Sequence, residues 1–164
     1  MAQTLLRGNP VQTAGDLPTI GAAAPAFTLK DAKLQAVSLA DFIGKKVVIS
    51  IFPSIDTPTC ATSTRKFNEQ AAGKTNTVVL TVSEDLPFAL GRFCGAEGIE
   101  NVHTLSAFRS TFGKDYGVEM ITGPLTGLCA RAVVVADETG KVIYTELVDD
   151  ITHEPNYEAA LQIL

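Results

Sequence analysis

The chain has 164 residues, 46% of them apolar, and a formal net charge of −5. That length suffices for one domain with a substantial core, and the composition excludes a disordered chain. The acidic balance speaks against a nucleic-acid footprint, which needs a basic patch, and no run of about 18 apolar residues is present to span a membrane. The first residues, MAQTLLRGNPVQTAGDLP, lack the basic start, apolar run and cleavage site of a secretory leader. Cytoplasmic residence is therefore expected, with residues 1–164 as a single domain.

In chain order, QTLLRG and PVQTAG read as a short hairpin with Gly8-Asn9 as its turn. PAFTLKDAKLQAVSLADF reads as a strand pair and a short helix before Gly44. KKVVISIF is a nearly unbroken β-branched run, the pattern of a strand buried on both faces. A helix opens at Thr57, and NTVVLTVS is a second buried strand. The helix LPFALGRFC follows, ending at Gly95, and LSAFRSTFGKDYG reads as a helix stopped by glycine. RAVVVAD and KVIYTELV form a hairpin around ETGK. A last helix, EPNYEAALQIL, has Pro155 near its first position. The alternation of strands and helices predicts an α/β fold, a central sheet with helices on both faces.

Three cysteines occur, Cys60, Cys94 and Cys129, widely spaced and without a C-x-x-C. His103 and His153 lie far from any cysteine pair, so neither a zinc site nor a disulfide framework is expected. No cofactor or metal is expected. Packing or surface roles suit the two histidines.

Cys60 opens a helix. Thr57 reads as the N-cap and Pro58 as the first helical residue, which puts Cys60 in the first turn, among unpaired backbone N–H groups. A free cysteine is only a few per cent thiolate at neutral pH. Making a thiol mostly ionised takes about 3 kcal/mol. A helix terminus typically supplies about 0.3–1 kcal/mol, up to about 2 in good geometry. A fixed cation is therefore required as well, and arginine suits because it stays charged. The neighbours Ser54, Asp56, Thr59, Thr62, Ser63 and Thr64 suggest a polar turn and not a core position. Residue types alone leave both readings of Cys60 open, buried filler or activated thiol. By the same standard Cys94 reads as filler beside Phe88, Leu90 and Phe93, and Cys129 as core. Arg65-Lys66 reads as a solvated helix face, with an added positive field near Cys60 as the alternative.

The stretch PSIDTPTC fits P-x-x-x-T-x-x-C, with Pro53, Thr57 and Cys60 at the fixed positions. It resembles the active-site loop of peroxiredoxins. DLPFALGRFCGAEG and GLCARAVVV are similar to the thiol peroxidase branch, the atypical two-cysteine type, and the resemblance runs from about Gly8 to Leu164. It implies a thioredoxin-like fold, a central mixed sheet flanked by helices with an added N-terminal hairpin. It also implies roles: Cys60 as the peroxidatic cysteine, Thr57 as the active-site threonine, Pro53 as the proline shielding the thiolate, Arg131 as the active-site arginine and Cys94 as the resolving cysteine.

The chemistry so implied is reduction of alkyl hydroperoxides and hydrogen peroxide through a Cys60 sulfenic acid and an intrachain Cys60–Cys94 disulfide, with thioredoxin as reductant and a homodimer as the assembly. A disulfide needs Cα atoms roughly 4.4–6.8 Å apart, so the Cys60 and Cys94 turns are both expected to loosen when the bond forms. Cys94, in the last turn before Gly95, is expected to unwind cheaply. Phe52, Ile55 and Phe93 near the site suggest tolerance of bulky organic hydroperoxides. Two other readings share the sequence features. A general thiol-disulfide oxidoreductase is disfavoured by the missing C-x-x-C. A peroxide sensor or redox-switched binding protein would use the same cysteine pair and is separated from the enzyme by turnover with thioredoxin.

Overall fold

The structure, a computed structural model, describes residues 1–70, 73–99 and 102–164. Three consecutive buried runs make the centre of the sheet: β5 (Lys46–Ile51), β6 (Thr77–Ser83) and β8 (Ala132–Ala136). Such runs pair centrally because both faces are covered. β6 also pairs in parallel with β7 (Val102–Ser106). β5 pairs in parallel with β6 and antiparallel with β8. β3 (Thr28–Asp31), β4 (Ala36–Ser38) and β9 (Val142–Leu147) complete seven strands in the order β4-β3-β7-β6-β5-β8-β9. β1 (Gln3–Leu6) and β2 (Asn9–Gln12) form a separate two-stranded hairpin. The mixed sheet and added hairpin are those the resemblance implied.

Handedness places the helices. The β5-α1-β6 and β6-α2-β7 crossovers advance in one direction across the sheet, so right-handed connections put α1 (Pro58–Gln70) and α2 (Pro87–Glu97) on the same face. α4 (Tyr157–Gln162) joins them there: Cys60, Phe67, Leu90, Phe93 and Ala160 pack with Val48, Phe52, Val79, Val133 and Val135. The opposite face, from Ile49, Leu80 and Val134, is covered by Phe27, by Leu39 of a 3₁₀ turn (Leu39–Phe42), and by Phe112 and Tyr116 around α3 (Phe112–Asp115). Alternation along β5 and β8 decides which residues reach which face.

Four sequence expectations need correction. The hairpin turn is Arg7-Gly8 and not Gly8-Asn9: Leu6 pairs with Asn9, and φ is 51° at Arg7 and 81° at Gly8. Positive φ at both central residues is the requirement of a two-residue turn whose twist matches the strands. α2 runs past Gly95 to Glu97, because the left-handed residue that stops it is Gly98 (φ 65°). LSAFRSTFGKDYG is not one helix. Leu105 and Ser106 end β7, an unforeseen strand, and the helix is the single turn α3. Pro155 precedes the N-cap of the last helix; Asn156 is the cap, its side chain accepting from the Ala159 N–H.

After α3 the chain turns at Gly117 (φ 69°) against the Asp16 backbone, where any Cβ would overlap the Asp16 carbonyl oxygen. Gly117→Ala combines a disfavoured left-handed φ with that overlap, and we expect a loss of more than about 2 kcal/mol. Urea unfolding checks this; an unchanged midpoint would show that the close approach is not required.

Candidate active site

α1 is polar in composition but presents a stripe to the sheet. Cys60, Ser63, Thr64 and Phe67 are its buried residues, at helical spacing. Cys60 is 0% exposed. The expectation of a polar turn rather than a core position is thus overturned. The Thr57, Thr59 and Thr64 hydroxyls donate to backbone carbonyls and Ser54 Oγ to Asp85, while the thiol takes an inward position.

The start of α1 is built as the sequence suggests. The Cys60 N–H donates to Thr57 Oγ1 at 3.3 Å, and the Thr57 hydroxyl donates to the Ser54 carbonyl at 3.2 Å. The Ala61 N–H bonds to the Thr57 carbonyl at 3.1 Å. Asp85, which the sequence reading did not single out, holds the preceding loop. Its carboxylate accepts from Ser54 Oγ (2.7 Å), the Ile55 N–H (2.7 Å) and Ser83 Oγ (2.6 Å). Pro53 is buried between β5 and this loop and lines the cavity described below.

Arg131 directly precedes β8, with the parity of Val133 and Val135, so its side chain emerges on the α1 face. It is 3% exposed. Nη2 donates to Cys60 Sγ at 3.2 Å and Nε donates to the Ile151 carbonyl at 2.8 Å. Nη1 is sealed from solvent and has no hydrogen-bond partner among the described residues. A planar fork with five N–H groups can address three directions at once; a lysine cannot. The cation required beside Cys60 is in place.

A cavity of about 540 Å³ adjoins this group. Thr57 and Arg131, both bonded to Cys60, line it, with Leu6, Arg7, Leu125 and Ile151 among the other walls. Phe52, Ile55 and Phe93 do not line it. They belong to the core between sheet and helices. The apolar wall comes instead from the N-terminal hairpin and from segments near 125 and 151. Asp150 ties those parts together: its carboxylate accepts from the Arg7, Gly8 and Thr152 N–H groups and from the Thr152 hydroxyl. Those donors, the Thr152 hydroxyl foremost, hold its carboxyl well below the usual range. The Asp-x-Thr turn at 150–152 was the only sequence signal for it.

The three cysteines are free thiols. Cys94 is half-buried on α2, its sulfur 3.4 Å from Thr104 Oγ1. It still lies in the last turn, because α2 ends at Glu97, and its carbonyl accepts from the Gly98 and Ile99 N–H groups, so this turn is capped rather than frayed. Two exposed ion pairs join α2 to the Cys60 side: Arg92 with Asp56 at 2.7 Å, and Arg65 with Glu97 at 2.8 Å. Lys66 pairs with Glu154 at 3.0 Å. Arg65 and Lys66 are therefore a solvated, acid-paired face. Cys129 is buried in the core of the other sheet face. Burial, with Glu84 and Glu119 adding, pushes its thiol far up and keeps it protonated. His103 packs against Phe42, ring centroids 5.3 Å apart.

The redoxin family profile matches residues 19–161. The chain belongs to the redoxin family. It is 58% identical to the thiol peroxidase of Corynebacterium glutamicum over 164 residues, covering 100% of this chain and 99% of that one. The thiol peroxidase of Mycobacterium tuberculosis gives the same identity and coverage. Among solved structures, a peroxiredoxin-like protein from Aquifex aeolicus superposes with a TM-score of 0.95 at 41% identity, over 99% of this chain and 95% of that one. The thiol peroxidase resemblance read from the three motifs is borne out. Among the described residues no helix is long and apolar enough to cross a membrane.

Glu84, beside Asp85, gives a test of the electrostatics around the site. Burial, with Glu119 adding, raises its carboxyl to about 7. The folded state thus binds this proton more tightly than the unfolded chain, whose Glu titrates near about 4.3. Stability falls as pH rises between those two values. Glu84→Gln should therefore raise the melting temperature near pH 8 and leave it little changed near pH 4. The same shift at both values would show that the carboxyl's titration is not coupled to folding.

Proposed function

We propose that the chain reduces alkyl hydroperoxides and hydrogen peroxide through Cys60, acting as one domain. The observation that carries this reading is the 3.2 Å hydrogen bond from the buried Arg131 Nη2 to the Cys60 sulfur, beside an apolar cavity. Cys60 lies in the first turn of α1, with the guanidinium donating to its sulfur. The membership in the redoxin family and the full-length similarity to thiol peroxidases support the same reaction class.

The thiolate attacks the terminal oxygen of R–O–OH along the O–O axis. The S–O bond forms, the O–O bond breaks, and the electron pair leaves on RO⁻, which takes a proton to become the alcohol. In our reading the Arg131 guanidinium, which borders the cavity, donates to the peroxide, and the Thr57 hydroxyl exchanges its Ser54 bond for one to the substrate. Donors aimed at the developing alkoxide are worth most in a dry site. Pro53 shields the thiolate from water. The product is Cys60 sulfenic acid. In our reading the Cys94 thiol condenses with it, forming the S–S bond and releasing water, and the α1 and α2 turns loosen to let the sulfurs meet. A thioredoxin dithiol then restores both thiols by exchange. The apolar walls from Leu6, Leu125 and Ile151 favour bulky organic hydroperoxides. Exposed Leu86, Phe88 and Phe108 supply apolar surface for a homodimer. A cytoplasmic, reducing setting suits free thiols.

The test is a thiol count before and after one equivalent of cumene hydroperoxide, with a peptide map and a sedimentation run on the same samples. We expect three thiols to fall to one, Cys60 linked to Cys94 within a chain, and a mass of two chains. Hydrogen peroxide should give the same product more slowly. Cys94→Ser should stop at a sulfenic acid that dimedone traps, with thioredoxin-dependent turnover lost. Loss of thiols no faster than for free cysteine would overturn the reading of Cys60, and full turnover by Cys94→Ser would overturn that of Cys94.

A further inference from the structure

Segment 148–152 runs between the N-terminal hairpin and Arg131. The Leu5 N–H bonds to the Asp149 carbonyl at 2.9 Å and the Ile151 N–H to the Leu5 carbonyl at 2.8 Å. On the other side the Val148 N–H bonds to the Arg131 carbonyl at 3.0 Å, and the Ile151 carbonyl accepts Arg131 Nε at 2.8 Å. The orientation of the guanidinium thus depends on where one backbone carbonyl sits. The side chain that fixes this segment is Asp150, 5% exposed. One oxygen takes the Thr152 hydroxyl (2.7 Å), the Thr152 N–H (2.9 Å) and the Arg7 N–H (3.2 Å); the other takes the Gly8 N–H (2.9 Å).

The geometry points to Asp150 as a positioning residue for peroxide reduction: by gripping the Arg7-Gly8 turn and Thr152 at once, it holds the Ile151 carbonyl that aims Arg131 at Cys60. This rests on the peroxidase reading above. Asp150 touches neither the sulfur nor the guanidinium in any hydrogen bond of the structure. It acts through the residue that follows it. The requirement for a carboxylate is chemical, since all four partners are donors and only an acceptor on both oxygens satisfies them. An asparagine would turn an NH₂ toward Gly8 or toward Thr152 and Arg7, setting donor against donor. The same grip keeps Leu6, Arg7, Ile151 and Thr152 together as one wall of the cavity.

The experiment is a double-mutant cycle on the full chain, read by the stopped-flow rate of Cys60 oxidation by cumene hydroperoxide. Asp150→Asn should lower the second-order rate constant about 10- to 100-fold, the scale of a misplaced reacting group. In an Arg131→Ala background the same substitution should cost less than about twofold, because the residue it acts through is gone. A purely structural role predicts equal losses in both backgrounds, and equal losses would overturn the proposal. A spectroscopic arm reads the link directly. The Arg131 Nε–H resonance of ¹⁵N-labelled protein should exchange slowly in the parent chain and be lost in Asp150→Asn while backbone dispersion persists. An unchanged resonance would overturn the proposal. If Asp150→Asn fails to fold, Thr152→Val removes one of the four bonds and should give a smaller loss with the same dependence on Arg131. An unreactive Cys60 in the parent chain would sink the peroxidase reading and leave the Nε–H resonance to decide the role of Asp150.

Discussion

Everything in this structure that bears on chemistry depends on a guanidinium buried against a sulfur. Arg131 is nearly inaccessible, and Nη2 sits 3.2 Å from Cys60 Sγ. A charge removed from water must be compensated on the spot, since an unpaired buried charge typically costs about 3–5 kcal/mol. Two of its three nitrogens are compensated by the protein, one by the Ile151 carbonyl and one by the thiol. The third has no hydrogen-bond partner among the described residues. Those two bonds tie the sulfur, the guanidinium and the segment at 151 into one unit.

The sheet is the instrument that brings these groups together. Ile51 stands opposite Ala132 in the β5–β8 register, so the chain leaving β5 toward Pro53 and the chain entering β8 from Arg131 lie side by side at one end of the sheet. α1 then starts at that end, because it follows β5 directly in the chain. Cys60 and Arg131, 71 residues apart, meet because crossover handedness puts α1 on the face to which strand parity sends Arg131. Two carboxylates finish the work from outside the reacting groups. Asp85 fixes the loop before α1, and Asp150 fixes the segment beside Arg131. Each accepts mainly from backbone N–H groups and neighbouring hydroxyls, so each sets a chain path.

Much of this was legible in the sequence. The unbroken runs of β5, β6 and β8 announced central strands, and Thr57-Pro58 announced the helix cap that Cys60 now bonds to. The demand for a nearby arginine came from energetics, and the resemblance supplied Arg131 for it. Other parts were not legible. β7 hides Thr104 and Ser106 among its buried residues, so its apolar signal is weak and its second half was absorbed into a false helix. The burial of Cys60 was masked by hydroxyls, which pass for a polar surface until their backbone partners are known. Thr64, for one, donates to the Cys60 carbonyl and is itself buried. Phe52, Ile55 and Phe93 were near the site in sequence yet face the core. The true cavity wall uses Leu6, more than a hundred residues from Leu125 and Ile151, and no local pattern encodes that meeting. Asp85 and Asp150 escaped for a related reason: each takes some of its donors from far along the chain, Ser54 and Ile55 for the one, Arg7 and Gly8 for the other.

The central claim is that Arg131 acts on the peroxide as well as on the thiol, and one comparison tests it most directly. The rate of Cys60 oxidation by cumene hydroperoxide and the rate of its alkylation by iodoacetamide should be measured for the parent chain and for Arg131→Lys. Alkylation needs the thiolate but offers no oxygen leaving group to stabilise. A lysine keeps the charge and loses the fork. If the guanidinium holds the peroxide, oxidation should fall on the order of 100-fold, the effect of losing one such donor, while alkylation falls by less than about tenfold. Equal losses in the two reactions would mean that Arg131 only charges the sulfur, and would contradict the account.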